Sequence, residues 1–168
     1  MSHPLVLALY KSSVEASQGA RALHDAGVTR DEISVVSRNH DEDTALARQM
    51  DASPGVDIED SRVAARLGEL SGYVLAAIAI VLPGVGPIVA AGPLAAGLGE
   101  AAGHVAGGVA SALSGAGVTP ERAATLEHAV QHGAVLLAVH TTPAQVATVR
   151  AALHQAGAAD VEVANWSE

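Results

Sequence analysis

The chain has no cysteine. That excludes disulfides, thiolate catalysis, iron–sulfur clusters and zinc sites of the cysteine type, and it leaves the redox compartment open. Phenylalanine is also absent, and there is one tryptophan and two tyrosines. The apolar 49% therefore comes mainly from Ala, Val and Leu, which pack a core but offer few large anchors for a protein–protein hot spot. Basic residues are scarce. Nine Lys and Arg against eighteen Asp and Glu give a formal charge of −9, so nucleic-acid binding, which rests on cations set against phosphates, is not expected. No basic stretch precedes the apolar run Leu5–Tyr10, which is too short for a signal sequence, and the expected location is cytoplasmic.

The two ends of the chain repeat one another. Leu5–Gly27 (LVLALYKSSVEASQGARALHDAG) aligns without gaps on Val135–Gly157 (VLLAVHTTPAQVATVRAALHQAG) at an offset of 130 residues. Leu5–Tyr10 and Val135–His140 are short apolar runs bounded by turn residues, as buried strands are. Each leads into a capping-box pattern, Ser12-x-x-Glu15 or Thr142-x-x-Gln145, with Pro143 at a first helical position. Each helix stops at a glycine, Gly27 or Gly157, and a second strand follows, Glu32–Ser37 or Asp160–Asn165. Two βαβ units related in this way predict an α+β fold, a ferredoxin-like split βαβ sandwich with two helices on one face of a four-stranded sheet. The strands are apolar on both sides, so the other face needs a cover, from the intervening segment or from a second subunit. The expected organisation is a first half over 1–39, an inserted segment over 40–132 and a second half over 133–168, all one folded unit.

Within the insert, Leu70 to Pro120 carries a single formal charge, Glu100, and a single aromatic, Tyr73. The pattern predicts a short helix over Asp41–Met50 and a second helix from Asp57 to about Leu82, broken by Pro83-Gly84-Val85-Gly86-Pro87. A third runs from near Pro93 to about Gly115. These last two form a glycine-rich α-helical hairpin over about 57–117, with Pro83, Gly84, Gly86, Pro87 and Pro93 at its tip. Thr119-Pro120-Glu121 then opens a further helix that Gly133 ends.

Ala95, Gly99, Gly103, Gly107 and Ser111 recur every four residues, a spacing that lets helix backbones approach closely. They are the expected packing or oligomerisation seam, acting within one hairpin or between subunits of a homo-oligomer. The apolar run before Pro83 is short of the roughly 20 residues a membrane span needs, and peripheral docking of the tip on lipid is the alternative. His128 and His132, in an H-x-x-x-H, and Glu100 with His104, one turn apart, have the spacing to share a metal ion, although solvated helix flanks account for both pairs. The same holds for His24 and His154, near two helix C-termini. Nothing forms a catalytic set, and no cofactor is expected. Gly84-x-Gly86 reads as a turn rather than a phosphate cradle.

The stretch Leu82–Glu162 resembles a family of bacterial general stress or low-temperature-induced proteins. The residues that carry the resemblance are the PGVGP and AAGP tip, the small-residue helix, the GVTPE turn, the HGAVLLAV strand and the closing HQAGAADV. Glu100 and His104 depart from the almost purely small, apolar helix the resemblance implies. It implies a stress-associated bacterial protein and no particular reaction. Together these readings predict a non-enzymatic, self-associating protein, with a metal or small-ligand sensor and a peripheral membrane protein as the other two.

Overall fold

The described residues of the computed structural model are 2–38, 77–82, 86–95 and 108–167. The helix predicted over Asp41–Met50 lies outside them, as do residues 57–76 of the helix predicted from Asp57 to about Leu82, and Gly99, Glu100, Gly103, His104 and Gly107.

The short apolar runs are strands. β1 (Ser2–Tyr10), β2 (Ile33–Arg38), β3 (Ala77–Leu82), β4 (Gly86–Ala91), β5 (Val135–His140) and β6 (Asp160–Ser167) form one antiparallel sheet in the order β3-β4-β2-β5-β1-β6. The helices are α1 (Ser13–Asp25), α2 (Val109–Gly115), α3 (Pro120–Gln131) and α4 (Val146–Gln155), with a 3-10 turn at Arg30–Glu32. The chain is thus mixed α and β around an antiparallel sheet.

Two buried clusters, one on each face, organise the packing. Leu5 and Leu7 of β1 and Leu136 and Ala138 of β5 join Leu113 of α2, Leu126 and Val130 of α3, and Leu94. Val6, Ala8, Tyr10, Val135, Leu137 and Val139 join Ala16, Ala20 and Leu23 of α1 and Val149 and Leu153 of α4. The cover of the second face comes from this same chain, from α2 and α3 within the inserted segment. Each fully buried Leu or Val contributes about 1.5–3 kcal/mol relative to exposure, so neither face can stay bare.

The repeat holds for the helices and slips in the strands. Leu23 and Leu153, 130 residues apart, lie in the same cluster. Leu7 and Leu137, also 130 apart, lie in opposite ones. Directly opposed residues share a face, and the pairs are Leu7 with Ala138 and Ala8 with Leu137. An even offset between strands paired in this register inverts every side chain.

The helix starts differ as well. Ser12 Oγ accepts from Glu15 N–H at 3.2 Å, and the Glu15 carboxylate accepts from Lys11 N–H at 3.1 Å. Thr142 and Gln145 form no such box. The Thr142 hydroxyl meets the Gln145 side-chain oxygen at 3.2 Å, and Gln145 N–H donates to the Thr142 carbonyl, closing a turn. Pro143 lies in that turn, and α4 starts at Val146 with Gln145 as N-cap. Thr119 precedes α3 as read, without a side-chain capping bond.

The predicted helical hairpin is corrected at both described ends. Ala77–Leu82 and Gly86–Ala91 are strands paired from Ala77 with Ala91 to Leu82 with Gly86, a β-hairpin around Pro83–Val85. β-branched Ile78, Ile80 and Val81 favour that outcome. Among the described residues β4 pairs with β2 from Val35 with Ala91 to Arg38 with Ile88. Nor does one helix run from Pro93 to Gly115: residues 93–95 are helical, but Gly108 is extended (φ −128°, ψ −173°) and caps a new helix at Val109.

Gly27 and Gly157 end α1 and α4 in the left-handed region, with Val28 N–H donating to Leu23 O and Ala158 N–H to Leu153 O. Gly117, after α2, has the same conformation and a second constraint, since a Cβ there would lie 1.9 Å from the Asn165 carbonyl oxygen of β6. At Gly27 a Cβ would meet nothing within 4 Å. Gly117→Ala is therefore expected to cost about 3 kcal/mol and Gly27→Ala about 1 kcal/mol, read from urea unfolding midpoints. Equal costs would show that the loop after α2 does not press on β6.

Candidate functional site

The densest group of functional side chains sits where β1 begins and β5 and β6 end. Leu5 faces His140 across β1 and β5, and His3 faces Trp166 across β1 and β6. The alternation of β1 puts His3 on the same face as Leu5, so three rings converge beside the cluster under α2 and α3. His3 Nε2 lies 2.9 Å from His140 Nδ1, with ring centroids 5.2 Å apart. Trp166 meets His140 edge-on at 4.8 Å and lies closer to parallel with His3 at 6.4 Å.

The second nitrogen of His140, Nε2, is buried and has no hydrogen-bond partner. Burial holds His140 below its ordinary value, the nearby His3 adds to that, and Glu32 opposes it. In the N···N contact one imidazole donates and the other accepts, and the tautomers decide which. Among the described residues no hydroxyl or carboxylate is hydrogen-bonded to either ring. Among the described residues no group of three or more His, Cys, Asp or Glu side chains can hold a metal ion.

The residues singled out from sequence are scattered. Ala95 is buried beside Leu94 in the cluster under α2 and α3. Ser111 is exposed on α2, beyond the break at Gly108, so it does not continue a seam from Ala95. Gly86 and Pro87 belong to β4 and Pro93 opens the helical turn at 93–95, while Pro83 and Gly84 lie outside the described residues. His128 and His132 do come together, stacked at 4.1 Å, but both are exposed and His132 Nδ1 is engaged with the His128 carbonyl at 2.7 Å. No third ligand joins them among the described residues. His24 and His154 are exposed at the ends of α1 and α4.

Other polar groups hold elements in place. The Glu127 carboxylate accepts from Ala110 N–H at 2.8 Å, capping α2, and Arg38 donates to the Gln131 carbonyl at 2.7 Å, capping the end of α3. Buried Ser34 accepts from Leu94 N–H at 3.0 Å. Arg122 of α3 bridges Asp160 and Glu162 of β6, and the bond to Asp160 is the main cause that raises its pKa. Tyr10 passes beneath Gly19, where a Cβ would lie 2.4 Å from its hydroxyl oxygen, and donates to Leu153 O at 3.2 Å. The histidine–tryptophan cluster was missed in sequence because no local motif marks it. The only available signal was strand register, which brings residues 137 positions apart into contact.

Two outcomes are expected. Arg122→Ala loses about 1 kcal/mol, since Asp160 is well exposed and water screens the pair, and the loss shrinks at high salt. Burial pushes the Tyr10 hydroxyl up to about 12. The unfolded chain ionises first, at about 10, so stability is level below that value and falls as pH rises through 12. Tyr10→Phe removes that alkaline loss, and unfolding of the two forms across this range, with tyrosinate absorbance followed in a Tyr73→Phe background, checks it.

No family model, curated protein or solved structure matches the chain.

Proposed function

We propose that the protein is a non-enzymatic, self-associating protein of the bacterial stress type it resembles, built on a ferredoxin-like split βαβ sandwich. The order β6-β1-β5-β2, with α1 and α4 packed together on one face, supports the fold part of this reading. The remaining strands, β3 and β4, extend the sheet beyond β2. The inserted segment acts as an internal packing element, supported by the burial of Ala95, Leu94 and Val109 in one cluster.

The observation that carries self-association is the state of the sheet. Helices of the same chain cover both faces of β1 and β5, so along these strands a second copy has no bare face to meet, and the edge beside them is the route left. β6 forms one edge; it is eight residues long, and Val163 on it is 40% exposed. Edge backbone groups template pairing with another chain. Arg122 engages both Asp160 and Glu162 and offsets one of their two negative charges, which lowers the repulsion toward a second β6. Among the described residues no helix is long and apolar enough to cross a membrane.

Light scattering on size exclusion tests the reading. The expected mass exceeds that of the 16.8 kDa chain, and Val163→Lys returns it to that value while changing stability by less than about 0.5 kcal/mol. A monomeric wild type overturns self-association. An oligomer indifferent to Val163→Lys overturns the edge as its route.

A further inference from the structure

The three rings at the end of β1 link three strands. His3 belongs to β1, His140 to the central strand β5 and Trp166 to the edge strand β6. Trp166 is the second-last residue of β6, and it is partly buried against the cluster under α2 and α3. Its described ring contacts are the two imidazoles. On the outer side of β6 no described strand pairs with it.

We propose that the His3–His140 pair is a proton-operated clasp, fastening the end of edge strand β6 through Trp166 to the centre of the sheet and releasing it when both imidazoles are charged.

The reasoning is a count of protons. With both rings neutral, one N–H donates to the other ring's lone pair across 2.9 Å. One added proton is accommodated, because N–H⁺···N is still a hydrogen bond and a cation beside the indole is attracted to it. A second proton leaves two N–H groups pointing at one another and two like charges in contact, so the rings must part. His140 is the ring that resists a proton, because burial and the nearby His3 both oppose its charging. Glu32, in the 3-10 turn before β2, is the one described carboxylate acting on His140, and its pull is the smallest of the three effects. That carboxylate also serves Thr29, accepting from its N–H at 2.7 Å and its hydroxyl at 2.8 Å. The β6 side presents the uncharged indole.

The sign follows from His140. The unfolded chain protonates it near the ordinary histidine value of about 6.5, whereas the folded chain resists until lower pH. Between the two the unfolded state binds the extra proton, so the clasp's contribution is complete above about 6.5 and is lost as pH falls through the lowered value. The folding equilibrium constant drops by up to about tenfold per pH unit in that window.

Trp166 is the chain's one tryptophan, so its emission reports the clasp directly. The experiment follows emission wavelength and acrylamide quenching from neutral pH downward, with thermal unfolding at each pH, in wild type, His140→Phe and His3→Gln. In wild type, Trp166 is expected to shift to the red and become quenchable below the ordinary histidine range. His140→Phe keeps an aromatic ring against the indole but takes no proton, and its transition should vanish. His3→Gln keeps a hydrogen-bond partner for His140 but removes the opposing charge, and its transition should move to higher pH. A flat wild-type titration, or a transition unchanged in both variants, overturns the proposal. If His140→Phe proves unfolded by far-UV circular dichroism, the direction of the shift in His3→Gln decides alone. The proposal does not depend on self-association, since the readouts are internal to one chain.

Discussion

The pairing of β1 with β5 at the centre of the sheet is the constraint on which the other layers depend. These strands send apolar side chains both ways, Leu5 and Leu7 to one side, Val6, Ala8 and Tyr10 to the other. A sheet apolar on two faces must be covered on two faces, and short helices can cover it only if their ends are well terminated. Schellman endings at Gly27, Gly117 and Gly157 provide this, turning the chain out of α1, α2 and α4 within two residues. The polar bonds of Arg38, Glu127 and Arg122 then set where α2 and α3 lie on the second face. Their individual contributions are small. Their effect is to fix one arrangement of helices whose buried side chains are mostly Ala, Val and Leu.

Much of this was legible in the sequence, and the misreadings have physical causes. The strands at the two ends, the helices between them and the stops at Gly27, Gly133 and Gly157 follow from short-range chemistry that acts wherever the chain sits. Ala77–Leu82 reads as helix because this run of Ala, Ile, Val and Leu is apolar at all six positions, so periodicity cannot tell a buried strand from a buried helix. The four-residue ladder from Ala95 to Ser111 looked continuous because spacing alone cannot register a break such as the extended backbone at Gly108.

The site was the least legible part. His3, His140 and Trp166 have no mutual spacing that a motif could record, and their meeting depends on the register of two ladders. Of the pairs that spacing did flag, His128 and His132 lie on and at the end of one helix, where proximity follows from geometry whether or not it has a use. His128 and His132 show this: their rings stack, yet both stay in solvent with no further ligand. Burial and partnership across strands distinguish the cluster at the sheet's end from such pairs, and both are tertiary properties.

The slip of one residue between the strand and helix parts of the repeat bears on how such a chain can arise. In a sheet with one wet face, moving a copied strand by one position turns its hydrocarbon toward water and ruins the copy. Here Leu7 and Leu137 occupy opposite faces and both remain dry, because each face has its own helices waiting. A strand written in one alphabet on both sides is therefore forgiving of frame. Two halves of similar sequence can drift apart in alignment, and what must be preserved along such a strand is apolar character at every position rather than its alternation.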